Sequence, residues 1–179
     1  MDALIGALGG KMKKVCTLLF ISLCLINLIF AQDNNERESF DLVLAIDGKQ
    51  YFSAKIEKSQ YVIMDKIIQL FPGEKVFIEA DILNNDLINL KRVDSVSNPE
   101  KTMTIEFKQV CDEKKHKYMM LFIENPYTKK LHYSANICSI KYDKWFSTDV
   151  YDVDAGKSNY EIWPDLISSI TLDSLKLID

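Results

Sequence analysis

The sequence predicts an all-β protein, an immunoglobulin-like β-sandwich of about nine strands that follows the helix of a signal peptide. Apolar and polar residues alternate along most of the chain after residue 39, and this period of two is typical of strands with one buried face. Turn-forming residues separate these segments roughly every 8–12 residues. No segment after the signal peptide keeps the apolar period of a helix, so strands alone are expected there.

Residues 1–31 are expected to be a signal peptide. Three lysines precede an apolar run from Val15 to Phe30, and Ala31 ends this run at a polar boundary. A positive start, a short apolar core and a small residue at the boundary are the features of a secretory signal. We therefore expect a secreted or periplasmic protein whose mature chain begins at Gln32. Met12 is a more natural start for such a signal than the first residue.

The mature chain is expected to consist of a flexible polar tether at residues 32–39 and a single sandwich domain at 40–179. The apolar run is shorter than the about 20 residues that a membrane-spanning helix needs. An uncleaved anchor stays open because Ile29 suits a cleavage site poorly. A lipid anchor on Cys24 is a further alternative, although Leu23 stands where a small residue is expected. Membrane contact is expected only through such an anchor.

The charge balance excludes general nucleic-acid binding. The chain has 22 Lys and Arg against 26 Asp and Glu, a net charge of −4, and loss of the signal peptide would remove three lysines and one aspartate. An acidic domain has no basic excess with which to neutralise phosphates. The hydrophobic fraction of 47% and the aromatic fraction of 11% are too high for a disordered chain, so we expect a folded core.

In the first half of the domain, alternation and turn signals define five strands. Asp47-Gly48 is a strong hairpin signal between the first two strands, and Pro72-Gly73 marks a later turn. Residues 65–71 fit either one helical turn or an irregular strand. The five predicted strands are 40–46, 52–56, 61–64, 75–82 and 87–93.

Four more strands are predicted in the second half, after a loop at residues 95–101. Residues 118–123 are apolar throughout, which indicates a central strand buried on both faces. The apolar parity of the last strand shifts between Leu172 and Leu175, and this shift predicts a β-bulge near Asp173-Ser174. The four strands are 103–108, 118–123, 131–137 and 169–178, with a charged loop at 112–117 between the first two.

No motif points to catalysis, a metal or a cofactor. His116 lies in a lysine-rich loop and His132 on the polar side of a strand, without the spacing that gathers zinc. The serines lack a G-x-S-x-G elbow, and no glycine-rich phosphate loop occurs. We therefore predict no catalytic residue, no metal ligand and no cofactor, and we expect both histidines to be solvated.

The best candidate for a binding site is the segment 143–165, which combines carboxylates with aromatic residues. Asp152 and Asp154 share a face if the segment is extended, but the spacing of its acids lacks the regularity of an EF-hand. Aromatic side chains offer contact area to a protein or carbohydrate partner. The competing interpretation is that Trp145 and Trp163 belong to the core and that the acids solubilise a loop. The predicted binding residues are Asp149, Tyr151, Asp152, Asp154 and Tyr160.

Two cysteines follow the signal peptide, and an exported chain favours a disulfide between Cys111 and Cys138. Strand parity argues against the bond. Cys111 shares parity with the apolar residues of its strand, whereas Cys138 falls on the polar parity of its own. Whether the two cysteines are bonded stays open.

The carboxy-terminal half carries a resemblance. Asn125-Pro126-Tyr127, followed by Lys130-Leu131 and Tyr133, resembles an N-P-Y-x-K-x-L-x-Y stretch of small uncharacterised bacterial secreted proteins. Glu161-x-Trp163-Pro164 resembles their closing segment. The resemblance covers roughly residues 118–178. It implies an exported sandwich domain of immunoglobulin-like type and no chemistry.

Two hypotheses about function remain. The first is an exported, non-catalytic interaction or structural module with an unknown protein or carbohydrate partner. The second is a small exported hydrolase with an unrecognised serine or carboxylate site, for which a carboxylate pair could be drawn from Glu161, Asp165 and the acidic residues of the segment 149–156. An exposed aromatic patch would favour the first hypothesis, and a cleft with converging titratable side chains would favour the second.

Overall fold

Residues 35–179 are the part of the chain that the computed structural model describes. Their regular secondary structure consists of strands alone, so the predicted all-β class is confirmed. No helix in this part of the chain is long and apolar enough to cross a membrane. The predicted signal peptide at 1–31, the start of the mature chain at Gln32 and the lipid anchor on Cys24 lie outside the described residues.

Residues 35–179 contain fourteen strands, and all of their pairings are antiparallel. In chain order they are β1 (Glu36–Arg37), β2 (Phe40–Ala45), β3 (Tyr51–Ile56), β4 (Ser59–Gln60), β5 (Val62–Ile63), β6 (Ile67–Leu70), β7 (Glu74–Leu83), β8 (Asp86–Val93), β9 (Met103–Asp112), β10 (Lys115–Glu124), β11 (Lys130–Ser139), β12 (Lys144–Thr148), β13 (Ser158–Trp163) and β14 (Ile167–Ile178).

All nine predicted strands are present, and five others accompany them. β1 and β4 have two residues each, which is too short for an alternating pattern. β6 resolves the ambiguous segment 65–71 as a strand. β12 and β13 lie within the candidate segment 143–165. The predicted loop at 112–117 shrinks to the turn Glu113-Lys114, whose two φ angles of 45° and 73° suit a tight hairpin.

The pairings build two half-sheets. One has the order β5-β6-β14-β11-β12, and the other has the order β8-β7-β9-β10-β13. Within the described residues a single pair, Lys176 opposite Asp86, connects β14 to β8. β2 and β3 form a separate hairpin, and β1 pairs with β4.

One hydrophobic core is shared by the two half-sheets. Alternate residues of β11 and β14 contribute from one half-sheet, and alternate residues of β7, β9 and β10 contribute from the other. Burying one Leu or Ile side chain contributes roughly 1.5–3 kcal/mol. Two sheets packed around one core are the arrangement of a β-sandwich. The largest fully buried side chains are Ile68, Leu70, Ile78, Met103, Ile105, Phe107, Met119, Leu121, Leu131, Ile167, Ile170 and Leu172.

The predicted bulge in the last strand is confirmed. The register of β14 against β11 shifts within residues 173–176. Ser174 has a left-handed φ of 54°, which marks the irregular residue of the bulge. Because the bulge changes the parity of the strand, Leu172 and Leu175 are both buried.

The prediction of a flexible tether at residues 32–39 is wrong for the residues of β1. Arg37 is 2% exposed, and its Nε lies 3.0 Å from Oε1 of Glu74. Its guanidinium also lies over the rings of Tyr61 and Phe71. A buried guanidinium requires such partners, so β1 is an anchored part of the domain.

The β2–β3 hairpin is attached to the β9–β10 hairpin through the side chain of Gln109. The Nε2 of Gln109 donates to Ala45 O at 2.8 Å, and its Oε1 accepts from Ala45 N at 2.9 Å. Gln109 Nε2 also lies 3.0 Å from Nδ1 of His116, whose Nε2 lies 2.8 Å from Pro164 O. The prediction of a solvated loop residue is therefore wrong for His116, which belongs to a structural hydrogen-bond network.

Candidate functional site

The candidate segment 143–165 is divided between two edge strands. β12 is the outer strand of one half-sheet, and β13 is the outer strand of the other. Between them, residues 149–157 pass beside β11, where Leu131 and Val153 exchange backbone hydrogen bonds of 2.8 and 2.9 Å. Extended backbone at sheet edges therefore replaces much of the predicted loop.

Asp152 and Asp154 share a face, as expected for extended backbone, but both are paired within the chain. Oδ1 of Asp152 lies 2.8 Å from Nδ1 of His132. The carboxylate of Asp154 lies 3.8 Å from Nζ of Lys130 and 3.3 Å from Nζ of Lys157. Exposed pairs of this kind contribute about 0–1 kcal/mol each. The two lysines compensate part of the charge that Asp154 could offer a partner, and the contact with His132 occupies one oxygen of Asp152.

The buried side chain of Asn125 fixes the backbone of residues 153–154 within the candidate segment, and sequence reasoning missed this role. The side chain is 1% exposed. Its Nδ2 donates to the carbonyls of Lys129, Val153 and Asp154 at 2.8, 2.9 and 3.1 Å, and its Oδ1 accepts from Tyr127 N at 2.9 Å. A buried amide with its donors and acceptor engaged fixes the chain around it. In the sequence Asn125 stands out only as the first residue of the Asn125-Pro126-Tyr127 stretch, and an Asn-Pro dipeptide indicates a turn and not a buried amide.

Glu161 fixes the same segment from β13. It is buried, and its Oε1 accepts from Tyr151 N at 2.7 Å and from Asn159 Nδ2 at 3.1 Å. Burial raises the pKa of the Tyr133 hydroxyl, and the charges of Glu161 and Asp152 raise it further. Tyr133 therefore stays neutral at physiological pH. Glu161 acts as an acceptor that orders backbone, which is a structural role.

The two tryptophans occupy different environments. Trp163 packs edge-on against Phe107, with the ring centroids 6.5 Å apart, and its Nε1 donates to Oγ1 of Thr148 at 2.9 Å. This bond joins β13 to β12. Trp145 is 47% exposed. The interpretation of both residues as core holds for Trp163 and is wrong for Trp145.

Exposed aromatic side chains gather on and beside β12, and we refer to Tyr142, Trp145 and Phe146 as the aromatic edge. The rings of Tyr142 and Phe146 meet at 5.7 Å in an edge-to-face arrangement. Lys141 Nζ lies 5.0 Å from the Tyr142 ring, and Lys144 Nζ lies 5.6 Å from the Phe146 ring. Such cation–π contacts at exposed sites are weak. The aromatic edge consequently remains accessible for contact with another molecule.

The five residues predicted from the sequence as a binding site are all exposed, but they do not converge on one pocket. Tyr160 lies on β13, where its ring is 5.1 Å from that of Phe122 on β10. Asp152 and Asp154 lie beside β11 of the other half-sheet. Tyr151 is 78% exposed. The exposed residues of the prediction are Asp149, Tyr151, Asp152, Asp154 and Tyr160.

The disulfide considered between Cys111 and Cys138 is not formed, and both residues are free thiols. Cys111 lies opposite His116 in the β9–β10 hairpin, whereas Cys138 lies opposite Trp145 in β11. β9 and β11 belong to different half-sheets and do not pair. Their position in different half-sheets explains why the bond is absent, because a disulfide requires Cα atoms within roughly 7 Å and facing Cβ atoms.

Within residues 35–179, no group of three or more histidine, cysteine, aspartate or glutamate side chains could hold a metal ion. No protein-family model, no curated protein and no solved structure matches this chain. Its function is therefore inferred from its own geometry.

Proposed function

We propose that the protein is an exported, non-catalytic interaction module that contacts a protein or carbohydrate partner through its aromatic edge. The observation that carries the proposal is the exposure of three large rings on one strand edge. The rings of Tyr142 and Phe146 are in contact, and Trp145, next to Phe146 along β12, projects from the opposite face of the strand. Aromatic side chains provide large contact areas at a small cost in conformational entropy. Large aromatic side chains exposed on both faces of one edge strand are available to a partner that binds along that edge. Export is supported by the signal-like sequence of residues 1–31.

The position of the aromatic edge on β12 supports the same proposal. β12 ends the order of its half-sheet, so its outer backbone has no strand partner within the described residues. Lys144 on the strand and Lys141 just before it place positive charge at this edge, which discourages unselective strand pairing. A partner is therefore selected by the rings, while the lysines disfavour random association.

A hydrolase is the second candidate, and the pairing of Asp152 with His132 is the observation that favours it. A carboxylate 2.8 Å from Nδ1 can orient an imidazole as a general base. Catalysis also requires a nucleophile within reach of the other ring nitrogen. In the part of the chain that the structure describes, no hydrogen bond links His132 Nε2 to a hydroxyl group. The interaction module consequently has the stronger support.

The first experiment compares two double variants of the tagged protein expressed in its own host. Trp145→Ser/Phe146→Ser removes most of the aromatic edge. Val43→Ser/Tyr51→Ser removes comparable exposed apolar surface from the β2–β3 hairpin. We expect the first variant to lose its co-purifying partner with little change in Tm, and the second to retain it. Equal capture by both variants would contradict the proposal.

The residues predicted from sequence provide a separate comparison. A Tyr151→Ser/Asp152→Asn variant tests whether the partner also contacts residues 149–157. We expect a smaller loss of capture than for the aromatic edge, because Asp152 is already paired with His132. A complete loss of capture with unchanged Tm would indicate that the partner binds mainly through residues 149–157.

A further inference from the structure

We propose that the tip of the β2–β3 hairpin is held to the domain by a pH-sensitive clamp and opens when His116 binds a proton. The clamp consists of the side chains of Gln109 and His116, whose Nε2 and Nδ1 atoms lie 3.0 Å apart. Imidazole is the side-chain group whose charge ordinarily changes between pH 5 and 8. The clamp includes no residue of the aromatic edge, so it is independent of the partner proposed above.

The backbone of Ala45 fixes the orientation of the Gln109 amide. Ala45 N can only donate and Ala45 O can only accept. Gln109 Oε1 therefore faces the nitrogen at 2.9 Å, and Gln109 Nε2 faces the oxygen at 2.8 Å. A flipped amide would place two donors opposite each other and two acceptors opposite each other. The second hydrogen of Nε2 is consequently available to Nδ1 of His116.

The orientation of the Gln109 amide in turn fixes the proton on His116. Nδ1 of the ring accepts from Gln109 Nε2 and so carries no hydrogen. Nε2 of the ring lies 2.8 Å from Pro164 O, which can only accept, and so carries the hydrogen. The clamp is complete only with the neutral ring that is protonated on Nε2.

A proton on Nδ1 disrupts the clamp. It places an N–H group against the amide nitrogen of Gln109, and an amide flip that relieved this contact would remove both bonds to Ala45. The ring of the open hairpin has no such restriction, so the open form binds the additional proton and acid favours it. The 3.1 Å bond from His116 N to Ile46 O does not depend on the charge of the ring. Acid therefore shifts the equilibrium and does not abolish attachment.

Opening of the hairpin would expose apolar side chains of β2. Leu42 and Leu44 are buried, and a hairpin of two strands cannot bury a face by itself. These side chains are therefore buried against the rest of the domain. The base of the hairpin is fixed separately, because β1 and β4 flank it in the sequence, pair with each other and are anchored by Arg37. The open form consequently presents a new apolar surface while the sandwich stays folded.

Other titratable or charged groups surround the ring on the neighbouring elements. Asp47 in the hairpin turn forms a bridge with Lys115. Hydrogen bonds from the backbone N–H groups of Gln50 and Lys49 hold the pKa of Asp47 below its ordinary value of 3.8, so this carboxylate stays ionised above pH 5. The surrounding groups are Cys111 on β9, opposite His116, Lys115 and Lys117 on β10, Asp165 after β13, and Asp47. Variants of His116 itself separate the imidazole from these neighbours.

Hydrogen exchange of the full-length chain at pH 7.5 and 5.5, read by mass spectrometry and corrected for intrinsic exchange at each pH, tests the proposal. An ordinary imidazole titrates near pH 6.5, so a closed form that excludes the proton should open about tenfold more often at the lower pH. An isolated hairpin is marginally stable, so its amides exchange once it opens. We expect protection of Phe40–Ala45 and Tyr51–Ile56 to fall about tenfold, and protection of β14 to stay unchanged.

The two histidines of the chain provide matched variants. His116→Gln removes the titrating ring and should abolish the fall in hairpin protection, whereas His132→Gln on β11 should retain it. Gln109→Glu should reverse the direction, because a carboxylate accepts a hydrogen bond from the protonated ring.

Equal hairpin protection at both pH values, or an equal fall in His116→Gln, would overturn the proposal. A parallel fall in β14 would also overturn it, because acid would then unfold the domain as a whole. A fall that persists in Gln109→Glu would contradict the part assigned to the amide.

Discussion

Arg37 and Glu74 form a buried ion pair that attaches the first strand to the sheet. Burial raises the pKa of Glu74, whereas a hydrogen bond from Phe71 N–H and the charge of Arg37 lower it. Burial has the largest effect, so the pKa of Glu74 remains above its ordinary value of 4.5. A group whose pKa is raised by folding stabilises the fold below its unfolded pKa, and this contribution is lost as the pH rises through the folded pKa.

Replacing Arg37 by Met should make stability strongly dependent on pH. Without the guanidinium, the pKa of Glu74 rises further, so ionising Glu74 at pH 7 costs more of the folding free energy. We expect a loss of about 3–5 kcal/mol at neutral pH, as for a broken buried pair, and a smaller loss near pH 4.5. Thermal unfolding at both pH values measures the difference. The double variant Arg37→Met/Glu74→Gln should lose this pH dependence, and equal destabilisation at both pH values would contradict the reasoning.

The two described cysteines should react as separate thiols. In a full-length chain carrying Cys16→Ser and Cys24→Ser, we expect iodoacetamide to add two groups to denatured, unreduced protein. In the native protein Cys111 should react faster than Cys138, because Cys111 is exposed and Cys138 is half-buried. Intact mass spectrometry counts the groups. An unmodified denatured chain would show that Cys111 and Cys138 are bonded.

At the scale of elements, Asn125 joins the end of β10 to the start of β11 and to residues 153–154. Asn125→Ala should destabilise the domain by about 2–4 kcal/mol, because several buried backbone groups lose their partner. Asn136→Ala is the matched control, since the Asn136 side chain makes one bond of 3.3 Å to Asp173. We expect that control to cost less than about 1 kcal/mol. Urea unfolding measures both, and similar losses would remove the structural role assigned to Asn125.

Strands with one buried face were predictable, because alternation records that face in the sequence. The bulge in β14 was predictable for the same reason, since it leaves Leu172 and Leu175 buried across a change of parity. β12 and β13 were not predicted as strands. Four of the five β12 residues are exposed and the fifth is half-buried, so no alternation marks it. β12 is a strand because its backbone pairs with β11, and such pairing leaves little trace in the local sequence.

At the scale of the whole molecule, the exposure of the candidate residues was predictable, but their partners were not. His132 and Lys130 reach Asp152 and Asp154 only because residues 149–157 lie beside β11. This contact joins parts of the chain about 20 residues apart, and local sequence does not encode it. For the same reason Trp145 and Trp163 look alike in the sequence, although the fold exposes one and packs the other.

The choice between the acidic residues and the aromatic edge as the contact surface leads to a prediction about salt. A partner held by Asp149, Asp152 and Asp154 would dissociate as ionic strength rises. A partner held by the aromatic edge should stay bound, because apolar contact is not screened. We expect capture to change less than about twofold between 0.05 and 0.5 M NaCl. A steep loss of capture over this range would contradict this prediction and would indicate that the acidic residues bind the partner.

Site-specific photo-crosslinking tests most directly whether the aromatic edge is the contact surface. p-Benzoylphenylalanine at position 145 lies on the aromatic edge, and at position 43 it lies on the exposed face of the β2–β3 hairpin. After irradiation in the native host, we expect one discrete adduct from position 145 and none from position 43. Adducts of equal yield at both positions, or an adduct from position 43 alone, would contradict the assignment of the aromatic edge as the interaction surface.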